Sequence, residues 1–138
     1  MTADDVMLVA AARSPVARLA TFGESGHIDL VPITFALAGS TLVTAVDHKP
    51  KRIRQLQRLD NIARDPRVTV LIDHYDDDWT SLWWVRLRGL ALVVTDGPSF
   101  ADAIAQLAVK YPQHYSRLPP QGPVISIAVT EVRTWRSS

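Results

Sequence analysis

Thr44-Ala45-Val46-Asp47-His48-Lys49-Pro50-Lys51-Arg52 is where the chain changes its periodicity. It reads as the end of a strand, a tight polar turn and the first turn of a helix. Asp47 suits the N-cap, and Pro50 suits the first helical turn, where a backbone N–H has no partner in any case. That turn also carries Lys49, Lys51 and Arg52. A helix N-terminus bears partial positive charge, so a cation there costs roughly 0.3–1 kcal/mol. Two readings follow. The stretch is a solvated basic surface that tolerates the penalty, or it is an anion site in which free N–H groups and cations hold a phosphate together.

Upstream, residues 41–46 form the strand that feeds this turn, and Ala38-Gly39-Ser40 turns the chain into it. Residues 27–37 read as one strand, with Ile28, Leu30, Pro32 and Thr34 on one face and Val31, Ile33 and Phe35 on the other. Pro32 cannot donate to a ladder, so it marks an edge, a bulge or an unpaired stretch. Gly23-Glu24-Ser25-Gly26 is a hairpin turn after a strand over 16–22. A short helix over 3–13 stops at Ser14-Pro15.

Downstream, the helix over about 50–64 places Ile53, Leu56, Leu59, Ile62 and Ala63 on one stripe. Arg54, Gln55, Arg58 and Asn61 fall off it, and Asp65-Pro66 ends it. Residues 67–73 alternate as a strand, 74–80 form an acidic loop, and 82–95 form a long strand. Ser99 with Asp102 resembles a capping box for a helix bearing Phe100, Ile104, Leu107, Ala108 and Tyr111. Pro112 closes that helix, and a last strand covers 124–135. The hairpins imply a largely antiparallel sheet. Six strands with interspersed helices predict a small closed or half-open barrel.

At 138 residues the chain suits one domain, 1–138, with a real core. A hydrophobic share of 47% excludes a disordered chain. Fifteen basic against 14 acidic residues give a net charge of +1, short of the excess expected for non-specific nucleic-acid binding. The absence of cysteine excludes disulfides, thiolate catalysis and cysteine zinc sites. Met1-Thr2-Ala3-Asp4-Asp5 lacks the basic start of a signal peptide, and no apolar run approaches a membrane span. A cytoplasmic protein that binds neither membrane nor nucleic acid is expected.

Chemistry-bearing residues concentrate in Trp83-Trp84-Val85-Arg86-Leu87-Arg88-Gly89. Trp83, Val85 and Leu87 share the face that reads as core. Trp84, Arg86 and Arg88 share the other, which suits a planar anionic ligand, a subunit contact or a solvent face with a covered tryptophan. The loop Asp73-His74-Tyr75-Asp76-Asp77-Asp78-Trp79 lacks the glycine and spaced ligands of a calcium site, so no metal is expected. Tyr75 and Trp79 read as aromatic walls beside a ligand or as loop anchors. The four histidines have no metal-like spacing, and no nucleophile elbow or glycine-rich phosphate loop is present. Any catalysis would be brought by a cofactor.

Four segments in order carry a family resemblance: Val31-Pro32-Ile33-Thr34-Phe35; Leu42-Val43-Thr44-Ala45-Val46 with Lys49-Pro50-Lys51-Arg52; Asn61-Ile62-Ala63-Arg64-Asp65-Pro66-Arg67-Val68; and Trp84-Val85-Arg86-Leu87-Arg88-Gly89. The chain resembles the split β-barrel proteins of the pyridoxamine 5'-phosphate oxidase class, and within them the short actinobacterial branch that uses the deazaflavin coenzyme F420. The resemblance implies a mainly β (α+β) fold: a six-stranded antiparallel Greek-key split β-barrel with flanking helices. It implies a homodimer with the cofactor in the groove between subunits.

By position, Pro32, Ile33 and Thr34 would lie against the ring system. Thr44, Ala45 and Val46 would contact the ring or ribityl chain, and Lys49, Lys51 and Arg52 would hold the phosphate. Trp84 stands where the oxidases have a glutamine reaching toward the flavin. Arg86 and Arg88 would meet the cofactor tail or the second subunit, and Trp79 would flank the site. The Arg-Ser or Arg-Lys turn pattern of the oxidases is absent, and the segment around Trp135-Arg136 stops short of their pyridoxal-phosphate region. The resemblance therefore favours coenzyme F420, with flavin mononucleotide as the alternative, over vitamin B6 oxidation. The implied activity is hydride transfer between the deazaflavin and a small organic substrate, with Tyr75 or His74 as proton donors. A non-catalytic cofactor carrier is the alternative outside enzymology.

Overall fold

The strand Trp83–Val94 (β6) runs through the centre of a computed structural model that describes residues 2–46, 52–115 and 117–137, without the side chains of 52–56. The other strands are Ala17–Phe22 (β1), Ile28–Ile33 (β2), Ala36–Ala38 (β3), Thr41–Ala45 (β4), Arg67–His74 (β5) and Val124–Arg136 (β7). Among the described residues they form one seven-stranded sheet in the order β2-β1-β5-β6-β7-β4-β3, every neighbouring pair antiparallel. The helices are Ala3–Ala12 (α1), Arg52–Arg64 (α2), Gly97–Lys110 (α3) and Pro112–Tyr115 (α4). No helix among the described residues is long and apolar enough to cross a membrane.

The sheet has seven strands rather than the expected six. The run read as one strand over 27–37 divides at Thr34-Phe35: β2 pairs with β1, whereas β3 pairs with β4. Those are opposite edges of the sheet. Three peptide units between Ile33 and Ala36 reach at most about 11 Å, so the sheet must curl until its edges adjoin. The barrel is closed by chain rather than by a ladder, and Phe35, with no exposed surface, fills the seam. Pro32 lies in the edge strand β2, where a missing donor costs nothing, as its position in the sequence requires.

Strict alternation builds the core. Ala17 and Leu19 on β1, Val68, Val70 and Ile72 on β5, Val85 and Leu87 on β6, and Ile125 and Ile127 on β7 all face inward and are buried. Met7 and Ala11 of α1 and Ile62 of α2 join this cluster. A second cluster packs Ala103, Leu107 and Tyr111 of the α3 region on Ala36, Val43 and Val124.

Other expectations need correction. The N-cap of α3 is Asp96, in extended backbone and without a side-chain cap bond, with Pro98 in the first turn. Ser99 and Asp102 are therefore inside the helix, not a capping box; Gly97 at φ 85° starts it two residues earlier. Pro112 opens α4 instead of ending helical structure, because Pro suits a first helical turn as well as a stop. The acidic loop contains one 3₁₀ turn, Trp79–Ser81, capped by the Asp78 carboxylate accepting from the Thr80 N–H at 3.1 Å.

Candidate functional site

The outward positions of the central strands form rows across the sheet. Register places Pro32, Arg18, Leu71, Arg86 and Arg133 in one row on β2, β1, β5, β6 and β7. The next row is Leu30, Ala20, Thr69, Arg88 and Glu131; Asp73, Trp84 and Trp135 form a third. A cavity of about 430 Å³ opens on this face between Arg18, Leu30, Leu71, Asp73, Trp84 and Arg86. A second, of about 550 Å³, lies between Phe22, Ile28, Arg67, Arg88 and Leu90, and the two share Ala20 and Thr69.

The charges on this face are paired unequally. Arg18 meets Asp73 at 3.1 Å. Glu131 lies 3.6 Å from Arg88 and 3.4 Å from Arg133. Arg86 has no carboxylate partner among the described residues: its guanidinium sits 5.9 Å from the centre of the Trp84 ring, and its Nε is shut from solvent without a hydrogen bond. A buried N–H without an acceptor is unfavourable.

Arg58 on α2 has the same signature. Its Nε is buried without a hydrogen-bond partner, and burial lowers the pKa of the guanidinium. The helical stripe had set Arg58 and Asn61 off the core face. Yet Asn61 has no exposed surface and donates to Thr21 Oγ1 at 2.9 Å and Asp29 Oδ2 at 2.7 Å. Its Oδ1 accepts from Gln57 at 3.1 Å and from Arg64 at 2.9 Å. These bonds fasten α2 to the β1–β2 hairpin.

Six of the residues expected at a cofactor site gather at the crossover. Ile33 and Val46 are buried, Thr44 is 1% exposed, Thr34 and Ala45 are half-buried, and Pro32 is exposed. The Thr44 hydroxyl donates to the Thr34 carbonyl at 2.6 Å, and Val46 N–H donates to the Pro123 carbonyl at 2.9 Å. Ile33 and Val46 thus present almost no surface of their own. Trp79 is separate from both groups, 67% exposed on its loop, where its indole N–H donates to the Tyr75 hydroxyl at 3.3 Å. His74 is exposed and stacks on Trp83 with ring centres 6.0 Å apart. Lys49 and Lys51, with the rest of the turn 47–51, lie outside the described residues, as does the side chain of Arg52.

Sequence reasoning did not single out Arg18, Leu30, Leu71 or Asp73 as cavity residues, nor Arg58. The first four become neighbours of Trp84 and Arg86 only through strand register. For Arg58 the available signal was its spacing from Asn61 and Ile62, three and four residues on, which places all three on neighbouring turns of one face. No group of three potential metal-ligating side chains occurs among the described residues.

An antiparallel barrel closed through a two-residue crossover, with cations and tryptophan on its outward face, is a split barrel. A family model described as pyridoxamine 5'-phosphate oxidase matches residues 4–136, and the chain belongs to that family. No curated protein matches the chain. Among solved structures, a conserved hypothetical protein from Mycobacterium tuberculosis is similar with TM-score 0.76 and 19% identity, over 99% of this chain and 86% of that one. A FAD-binding protein from Mesorhizobium loti is similar with TM-score 0.70 and 17% identity, over 97% and 94%. A heme-binding protein from Mycobacterium smegmatis gives TM-score 0.75 and 24% identity, over 98% of this chain and 54% of that one. At these identities the likenesses establish the fold alone.

Proposed function

We propose that this chain is a coenzyme F420-dependent oxidoreductase that transfers a hydride between the deazaflavin and a small organic substrate. The observation that carries the reading is the pair Arg58 and Arg86, each with a buried Nε–H that has no hydrogen-bond acceptor, in a chain of this family. Arg58 supports a phosphate subsite along α2, together with Lys49, Lys51 and Arg52. Trp84 and Arg86 give an aromatic surface and a cation in one cavity, the chemistry that a planar ring with an anionic tail requires. Arg88 extends the basic row toward that tail.

When bound, the deazaflavin supplies the hydride. The protein binds and orients the ring, with Pro32, Ile33, Thr34, Thr44, Ala45 and Val46 against it, and keeps water from the reacting face. Tyr75 or His74 would deliver the proton. Flavin mononucleotide fits the same cations and is the alternative cofactor, and a cofactor carrier without turnover is the alternative role.

The same face supports a homodimer. Leu30 and Leu92 are 66% exposed and Ile28 is 65% exposed on it. Apolar surface of this kind marks an interaction site, and a second copy covering it would place the cofactor in the groove between subunits.

The test is to purify the protein from a host that makes both cofactors, release the ligand by heat and identify it by mass spectrometry. Coenzyme F420 is the expected result. Flavin mononucleotide alone would refute the choice of cofactor, and heme alone would refute the flavin class altogether. Binding without turnover across a broad panel of acceptors would favour the carrier.

A further inference from the structure

Thr34 and Phe35 belong to no ladder, so the polar groups of their backbone need partners elsewhere. Phe35 is fully buried, and both its backbone groups meet the hydroxyl of Tyr111, which lies 76 residues further along the chain. That oxygen accepts from the Phe35 N–H at 3.1 Å and lies 3.1 Å from the Phe35 carbonyl and 2.9 Å from the Pro15 carbonyl. One phenol thus joins the entry to β1 with the seam between β2 and β3. The neighbouring Lys110 ammonium lies 3.5 Å from the centre of the Phe35 ring. Tyr111, at the end of α3, therefore holds the backbone of Phe35, and Lys110 lies beside its ring.

We infer that Tyr111 is a positioning residue for the cofactor site: its hydroxyl sets the path of the crossover that carries Pro32, Ile33 and Thr34. This rests on the cofactor reading above. The Thr44 hydroxyl donates to the carbonyl of the neighbouring Thr34, at 2.6 Å. Between them the two hydroxyls fix backbone that no strand partner holds. Tyr111 does not need to touch the cofactor. It acts by keeping the β2 end of the seam in register with β4, so that both lie on one ligand.

The experiment compares Tyr111→Phe with Leu107→Ala in the full chain. Leu107 lies one turn earlier in α3, is fully buried in the cluster that also holds Tyr111 and Ala36, and has no polar group on its side chain, so it controls for lost packing without loss of the hydroxyl. Titration with coenzyme F420 and with flavin mononucleotide reads the Kd, and the absorption spectrum of the bound ring reads its surroundings. Tyr111→Phe is expected to raise the Kd by roughly tenfold, about the worth of one hydrogen bond, and to shift the spectrum. Its Phe35 amide should exchange with solvent at least about tenfold faster, since the carbonyl and N–H lose their partner. Leu107→Ala should lose stability while its Kd and spectrum stay near those of the wild type. Para-aminophenylalanine at position 111 restores a polar group on the ring and should recover most of the affinity.

Wild-type affinity and spectrum in Tyr111→Phe would overturn the inference. So would an equal loss of affinity in Leu107→Ala, because stability would then explain both. Should Tyr111→Phe fail to fold, a folded para-amino variant without affinity would overturn it as well. A wild-type protein that binds neither cofactor would refute the cofactor reading, and the positioning role with it; accelerated Phe35 exchange would then report a purely structural clamp.

Discussion

Asn61→Asp changes one buried atom and almost no volume, which makes it a sharp probe of how α2 is anchored. In the native protein Nδ2 of Asn61 stands 2.7 Å from Asp29 Oδ2 and donates to it. The substitution puts an oxygen there, so two carboxylates face each other with no proton between them. At an effective dielectric constant near 20, like charges about 4 Å apart repel by about 4 kcal/mol. The Arg64 guanidinium, 2.9 Å from Oδ1, is on an exposed residue and offsets at most about 1 kcal/mol. The pair has an escape: one carboxylate can hold a proton and restore the bridge. Holding it at pH 7 against an ordinary pKa near 3.9 costs about 3 pH units, or about 4 kcal/mol. Both routes give a loss of about 3–4 kcal/mol at neutral pH, a large part of the stability of a domain this size.

The pH dependence has a definite sign. The shared proton is bound more tightly in the folded state than in the unfolded one, so the pair's folded pKa is raised. Stability from that proton is complete below the unfolded pKa and is lost as pH rises through the folded pKa. Asn61→Asp should therefore recover about 1.4 kcal/mol for each pH unit of acidification below 7, relative to wild type. Asn61→Ala removes the same donor without adding charge, and its deficit should stay nearly constant. Urea unfolding of the three proteins at about pH 7, 6 and 5 measures this. An Asn61→Asp deficit that does not shrink with acid, or that matches Asn61→Ala at every pH, would refute the proposed contact between positions 61 and 29.

Three further outcomes are expected. Arg58→Ala should weaken binding of coenzyme F420 or flavin mononucleotide by at least about tenfold, the loss of one charge-assisted contact; unaltered affinity by titration would remove Arg58 from the phosphate subsite. Leu30→Arg should leave the monomer folded and abolish self-association, because it places a charge on the exposed apolar face; a dimer mass by light scattering would exclude that face as the interface. Lys110 is pushed down to about 8 by burial, so the native state releases its proton before the unfolded chain does, and wild type gains stability as pH rises from about 8 toward 10.5. Lys110→Met should be more stable than wild type at pH 7 by about 1 kcal/mol, after discounting for the partial exposure of the side chain, and the advantage should vanish near pH 10; a difference independent of pH in thermal unfolding would argue against a desolvated ammonium.

Local periodicity reports the side of an element on which a residue lies, and there the sequence was readable. Trp84, Arg86 and Arg88 point outward from β6 while Val85 and Leu87 are buried, as alternation requires. Pro32 signals an edge, a bulge or an unpaired stretch, and β2 is an edge strand. The division of the 27–37 run was not readable, because the alternation of Val31, Ile33 and Phe35 continues across it without a break. What changes at Thr34 is the partner, from β1 to β4, and partner choice is a long-range property. The partners of two buried polar side chains are unreadable for the same reason. Asn61 is polar and off the apolar stripe, so helical spacing sends it to solvent; its partners Thr21 and Asp29 are 40 and 32 residues away. Tyr111 was correctly placed on the packed face of α3, but its hydroxyl finds a partner 76 residues upstream. A buried amide or phenol in a helix carries no local mark, since the sequence shows the donor and the fold chooses its acceptor. The cavity obeys the same logic: Arg18 and Leu71 are unremarkable one strand at a time, and only the β1–β5–β6 register sets them in a row with Arg86. Side chains that provide ligand chemistry can be nominated strand by strand, whereas those that hold the site in shape emerge only when its distant segments have met.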